Sequence, residues 1–295
     1  MKTPSPASSG AASLGRPEVS FGRSADDMAV ARVGDTAFAM APARDGRHYL
    51  VTAWRLSRPI AEWTRNDFYG HSGELADEAA FRFRVLEHAE HQRELRMLGR
   101  IEEHSQSHTP WGTSQGATVY AEGVASHSTA GHGGFRLSVE RNHKVHPMLR
   151  AASGWYEEDA EWAIVAITFP DLFTTFERRC AERTVKDSWP DAWEAISGAI
   201  LQPGESHEKD RRAFDTAHAH DWIVISAITS KHAAGFVEVV ATLGGKRVTG
   251  TEERRFLVPS GEYRVGPFGF VIDPDQHEIY GGPSDFIGWR PGRAA

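Results

Sequence analysis

The spacing of apolar residues changes period several times along this chain. From Phe21 to about Trp63 they come in short runs broken by turn residues, as in "MAVARVGDTAFAMAPARDGRHYLVTAWRL". Val33-Gly34-Asp35-Thr36 and Asp45-Gly46 lie between those runs, and Asp-Gly between apolar segments is a strong hairpin signal. The segment predicts a three-stranded meander. Over residues 73–104 the spacing turns helical. Leu75, Ala79, Phe83 and Leu86 fall on one stripe, Ser72 is placed to cap, and Glu74 sits near the positive end of the dipole. Beyond Ala89 charge dominates, and "HSQSHTP" ends the element.

The middle opens with "GATVYAEGVASHSTAGHGGFRLS", which predicts two or three short strands around a glycine turn. Ser138 then starts a short helix that Pro147 must end. Residues 155–169 predict a helix with three consecutive acids in its first turn. Ala160, Ala163, Ile164 and Ile167 give it one apolar face, and Trp162, Val165, Ala166 and Phe169 another, so it should be buried. Periodicity alone also allows "WAIVAITF" to be a buried strand. A further helix is expected near Trp189, started by Ser188 and Asp191 with Pro190 in the first turn. Its buried stripe would be Trp189, Trp193, Ile196 and Ile200. "QPGES" breaks it, and another helix is expected over 206–232. "GFVEVVATLGG", "RRFLVP", "EYRVG" and "FGFVIDP" then alternate like an antiparallel meander. The sum is an α+β fold with antiparallel strands at both ends and a mainly helical middle. Its expected parts are a tail over 1–20, a meander plus long helix over 21–108, and a domain over 109–290.

Composition sharpens this picture. The 295 residues are 40% hydrophobic and 25% charged, enough for one large domain or two ordinary ones with a substantial core. Residues 1–17 are rich in Pro, Ser, Ala and Gly and read as a disordered tail. A net charge of -7, with no basic stripe, argues against a nucleic-acid partner. The single cysteine, Cys180, excludes an intrachain disulfide and a cysteine-based zinc site. No apolar run approaches the roughly 18 residues of a membrane span, and the N-terminus carries no signal-like apolar region. A cytoplasmic protein is expected. Nine tryptophans fit a well-packed core or an aromatic-lined groove.

Two stretches could carry chemistry. In "GHGGF", Gly131, Gly133 and Gly134 surround His132. Glycine lets a ligand approach the backbone, and successive N–H groups can hold an anion. In "GWYEEDAEWA", Glu157, Glu158, Asp159 and Glu161 crowd together behind Trp155 and Tyr156. Acids at a helix start answer the dipole, but crowded carboxylates also raise one another's pKa, which suits general acid–base work. Arg136 could neutralise them. The candidate site is one in which both stretches meet. His132, Glu157, Glu158, Asp159 and Glu161 would be its reactive groups, and Gly133, Gly134, Arg136, Trp155 and Tyr156 would line it. The fifteen histidines show no H-E-x-x-H, so no metal ligand set is assigned, although Mg²⁺ or Mn²⁺ at the carboxylates is conceivable. The chain lacks G-x-S-x-G, a Walker loop and G-x-G-x-x-G, and no cofactor is expected.

Read in order, "TPWGTSQ", "HSTAGHGGFRLS", "GWYEEDAEWAIVA", "FPDLF", "QPGES", "FLVP" and "GFVID" resemble an uncharacterised bacterial family, a domain of unknown function. Its members occur in proteobacteria, often on plasmids and other mobile elements. The resemblance covers about 109–285 and brings no activity, cofactor or catalytic residue with it. Where many relatives read Ser-His-Gly-Gly, this chain has Gly131 before His132. Two functions stay open. One is an accessory protein of a mobile element that binds a protein or small ligand through the His132/acid region. The other is a hydrolase-like enzyme in which His132 and a carboxylate of 157–161 share proton transfer.

Overall fold

The computed structural model describes residues 18–286. The chain forms two compact units, and the division falls between Val185 and Lys186. The tail expected over residues 1–17 lies outside the described residues.

In the first unit, β1 (Val19–Arg23), β2 (Ala29–Val33), β3 (Thr36–Pro42), β4 (His48–Trp54) and β5 (Glu74–Leu75) make a five-stranded antiparallel sheet in sequence order. The two expected turns are there: Gly34 and Gly46 take φ of 55° and 80°, conformations that need no Cβ. Both faces of this sheet are covered. One face packs Val30, Ala39 and Val51 against Trp63 and Phe68. The other packs Ala31, Phe38 and Leu50 against the next element, α1 (Glu78–Leu98).

Helix α1 departs from the predicted phase. Leu75 is taken by β5, where it pairs with His48. The helix starts later, capped by Asp77, whose side chain accepts from the Ala80 N–H. Its buried stripe is therefore Phe81, Val85 and Ala89, while Phe83 and Leu86 are exposed. Gly99, in the left-handed region at φ 58°, ends it.

The middle of the chain overturns the expected fold class. It is built on a second five-stranded antiparallel sheet and is not mainly helical. Its strands are β6 (Ile101–Glu103), β9 (Gly116–Ala121), β10 (Val124–Ser128), β11 (Gly133–Leu137) and β12 (Trp155–Glu157), in the order β12-β11-β10-β9-β6. A two-stranded ribbon, β7 (His108–Thr109) with β8 (Gly112–Thr113), precedes β9. Helix α2 (Val139–Asn142) is capped by Ser138, as expected. Trp155–Glu157 is strand, and α3 (Trp162–Thr168) begins only after the acids. The helix expected over 155–169 is thus shortened to seven residues, with Ala163, Ile164, Val165 and Ala166 buried. Phe135 and Tyr120, together with Phe173, form the aromatic core on this side of the sheet.

Helix α4 (Thr175–Ser188) contains the boundary between the units. Within the first unit, Arg100 clamps its start. Two guanidinium nitrogens reach Glu177 at 2.9 and 2.7 Å, and one also reaches the Leu172 carbonyl at 2.9 Å. The guanidinium lies over the Tyr120 ring at 4.0 Å. Burial pushes the Glu177 carboxyl up, but the Arg100 fork and the Thr174 N–H outweigh it and hold the group below its usual value.

In the second unit, α5 (Pro190–Ser197) and α6 (His207–Ala217) precede a three-stranded antiparallel meander of β13 (Trp222–Thr229), β14 (Phe236–Leu243) and β15 (Glu253–Pro259). The expected stripe on α5 is not buried: Ile196 and Ile200 are exposed, and Trp193 is half-buried under Lys186, 4.6 Å from the ring. Ser188 belongs to the end of α4, and Trp189 takes the N-cap position. Helix α6 is capped by Ser206 and ends at Ala217, so the helix expected over 206–232 holds only in its first half, and Trp222–Thr229 is strand β13. A buried pair, Glu238 and Arg255 at 2.7 Å, holds the meander together. Among the described residues no helix is long and apolar enough to cross a membrane.

Candidate functional site

Strand pleating decides which candidates share a face. β11 lies between β10 and β12, with Gly134 opposite both His127 and Glu157, and Arg136 opposite Trp155. Residues directly opposite one another point the same way. Trp155, Glu157, His127 and Arg136 therefore stand on one face. Tyr156 and Phe135 stand on the other.

On the first face the loop between β10 and β11 brings His132 to the acids. Thr129 closes this loop: its Oγ1 donates to the His132 carbonyl at 2.6 Å and accepts from the His132 N–H at 3.2 Å. The side chain of His132 is exposed, and its Nδ1 lies 3.7 Å from Glu157 Oε1. Glu158 joins them, and one ligand atom from each of the three residues lies within 4.8 Å of the others. Glu157 Oε1 is shut off from water and has no hydrogen-bond partner among the described residues. A carboxylate oxygen in that state calls for a cation or a donor.

Glu161, and the second oxygen of Glu157, have structural duties. Glu161 Oε2 accepts from the Glu157 N–H at 2.9 Å, and Glu157 Oε2 accepts from the Asp159 N–H at 2.9 Å. The carboxylates thus knit the turn between β12 and α3. The i, i+4 repulsion expected of Glu157 and Glu161 on one helix does not arise, because neither lies inside a helix.

Gly133 and Gly134 are needed for space. Neither has positive φ, and both run as extended strand. A Cβ on Gly133 would sit 2.5 Å from Glu158 Oε2 and 2.7 Å from the His127 carbonyl. A Cβ on Gly134 would collide with the Trp111 ring and the Tyr156 carbonyl. Trp111 thus lies on the bare backbone of Gly134 and meets Trp155 edge-on at 5.8 Å. His127 packs against Trp155 at 5.4 Å, and Arg136 lies over Trp155 at 5.2 Å while donating to the Ser153 carbonyl. Burial, and then the Arg136 charge, lower the His127 pKa, so this ring is neutral at pH 7.

Tyr156 is remote from this chemistry. It is fully buried on the opposite face, and its hydroxyl donates to Asn142 Oδ1 at 2.6 Å. Trp111, His127 and Ser114 are the residues that sequence reasoning missed. The signal for Trp111 was present in "TPWG" but meant nothing until the fold laid it on a glycine. Ser114 and His127 do not make a nucleophile pair. Ser114 Oγ reaches both the Gly116 carbonyl at 2.9 Å and His127 Nδ1 at 3.2 Å. A carbonyl can only accept, so satisfying both contacts puts the serine proton on the backbone and makes His127 the donor.

A family described as a domain of unknown function (DUF7007) has a model that matches residues 104–219, a stretch that contains every residue of this corner. That agrees with the resemblance carried by the motifs, over the part of the chain it covers. No curated protein and no solved structure matches the chain.

Proposed function

We propose that this is a binding protein whose corner of His132, Glu157 and Glu158 takes a divalent metal ion such as Mn²⁺ or Zn²⁺. The observation that carries the reading is Glu157 Oε1, buried and without a hydrogen bond among the described residues, beside two more ligand atoms within 4.8 Å. One imidazole and two carboxylates suit metals of this borderline class. Three protein ligands leave coordination positions open, through which an anionic group of a small ligand or partner could be held. The aromatic pair Trp111 and Trp155 would support it from below. Service to a plasmid or other mobile element, in the cytoplasm, belongs to the same proposal and is carried by the motif resemblance. Hydrolase-like turnover by His132 and a carboxylate stands second, because that pair supplies no nucleophile.

Calorimetric titration with MnCl₂ and ZnCl₂ tests the reading. One site per chain is expected, weakened at least tenfold in His132→Ala and in Glu158→Gln. Glu158 and His132 are exposed, so these variants should fold normally. No measurable heat with either metal, or equal affinity in both variants, would overturn it.

A further inference from the structure

The first unit contains a cavity well away in sequence from the His132 corner. It holds about 280 Å³ between the β3–β4 face and α1. Phe38 and Leu50 form its floor, Phe176 closes one side, and His88 and His91 reach in from α1. Trp54 and Tyr69 stand at its mouth, 57% and 63% exposed. Large aromatic rings left that open beside a cavity are unusual for a surface with no ligand to meet.

The polar groups of the cavity divide into committed and free. His91 Nδ1 is held by Thr174 Oγ1 at 2.8 Å. Glu87 is shared: it pairs with Arg179 and lies 4.0 Å from Arg84, one carboxylate between two guanidiniums. His88 meets Phe38 edge-on at 5.0 Å, and no described residue hydrogen-bonds its ring. Burial first, and the neighbouring His91 second, lower its pKa, so at pH 7 it presents a neutral imidazole with one donor and one acceptor.

We infer that this cavity binds a one- or two-ring aromatic molecule of the phenol or indole class. Its hydroxyl or ring N–H would meet His88, and its rings would lie between Phe38, Trp54 and Phe176. The size sets the upper limit: ligand pockets run from about 300 to 1,000 Å³, so this one suits a small ligand. His88 sets the class, since its ring reaches into the cavity, meets Phe38 edge-on and has no described hydrogen-bond partner, so a hydroxyl or ring N–H can reach it. The site is separate from the metal corner, and neither reading depends on the other.

The test is titration of the full chain with p-cresol and with indole, followed by calorimetry and saturation-transfer NMR. Both probes should bind. Trp54→Ala, at an exposed position, and His88→Phe, which keeps a ring against Phe38, should each weaken binding about tenfold. Circular dichroism confirms folding, and Trp54→Ala alone decides if His88→Phe fails to fold. Absence of binding at millimolar probe, or affinity unchanged in the folded variants, would each overturn the assignment.

Discussion

The Glu158 carboxylate lies against Gly133, occupying the space a side chain would need: a Cβ there would stand 2.5 Å from Oε2. One residue's lack of a side chain thus positions another's charge beside His132. Gly133→Ala would also press on the His127 carbonyl, 2.7 Å away, and backbone cannot yield as a side chain can. Overpacking of this kind costs about 1–3 kcal/mol. Gly133→Ala should therefore lower the urea midpoint and weaken Mn²⁺ binding together. Glu158→Gln should weaken binding with little loss of stability. If Gly133→Ala melts like the wild type, the close approach is not a real constraint.

Glu177 makes stability depend on acid. Its folded pKa lies below 4.5, held there by Arg100 and the Thr174 N–H against the cost of burial. A carboxylate with a depressed folded pKa contributes stability that is complete above its unfolded pKa. That contribution is lost as pH falls through the folded value. Glu177→Gln leaves Arg100 buried without its counter-charge and should cost about 3 kcal/mol at pH 7. Denaturant unfolding from pH 7 down to pH 3 should show the gap between wild type and variant narrowing below about pH 4.5. A gap of constant size would mean that the pair does not titrate with folding.

Trp193 offers a test of how α5 packs. A tryptophan on a fully buried stripe would cost about 3–5 kcal/mol on truncation to alanine. Here the ring is half-buried, with Lys186 over it at 4.6 Å. The loss should be nearer 1–2 kcal/mol, much of it from the cation–π contact and partial burial. Thermal or urea unfolding of Trp193→Ala measures it, and a loss of 4 kcal/mol would return the residue to the core.

What the sequence determined by itself is local. The Gly34 and Gly46 turns, the Ser138 cap and the burial of the apolar run at 162–168 follow from residues within a few positions of one another. The meeting of His132 with Glu157 was a chemical expectation that the fold realises at 3.7 Å. The rest depended on partners far along the chain. Helix phase is set by where the first turn begins. On α1 that was decided by Leu75 pairing with His48, which moved the buried stripe from Leu75–Ala79–Phe83–Leu86 to Phe81–Val85–Ala89. Trp155–Glu157 became strand because β11 offered a free edge, and a hydrogen-bonded ladder outweighs the propensity of a three-residue segment. That single pairing put Tyr156 in the core and Trp155 on the site face. It also turned four acids from a helix start into a turn whose backbone Glu157 and Glu161 hold. The pleat that separates adjacent side chains acts only once a strand has a neighbour, and here the neighbour comes from 19 to 23 residues away.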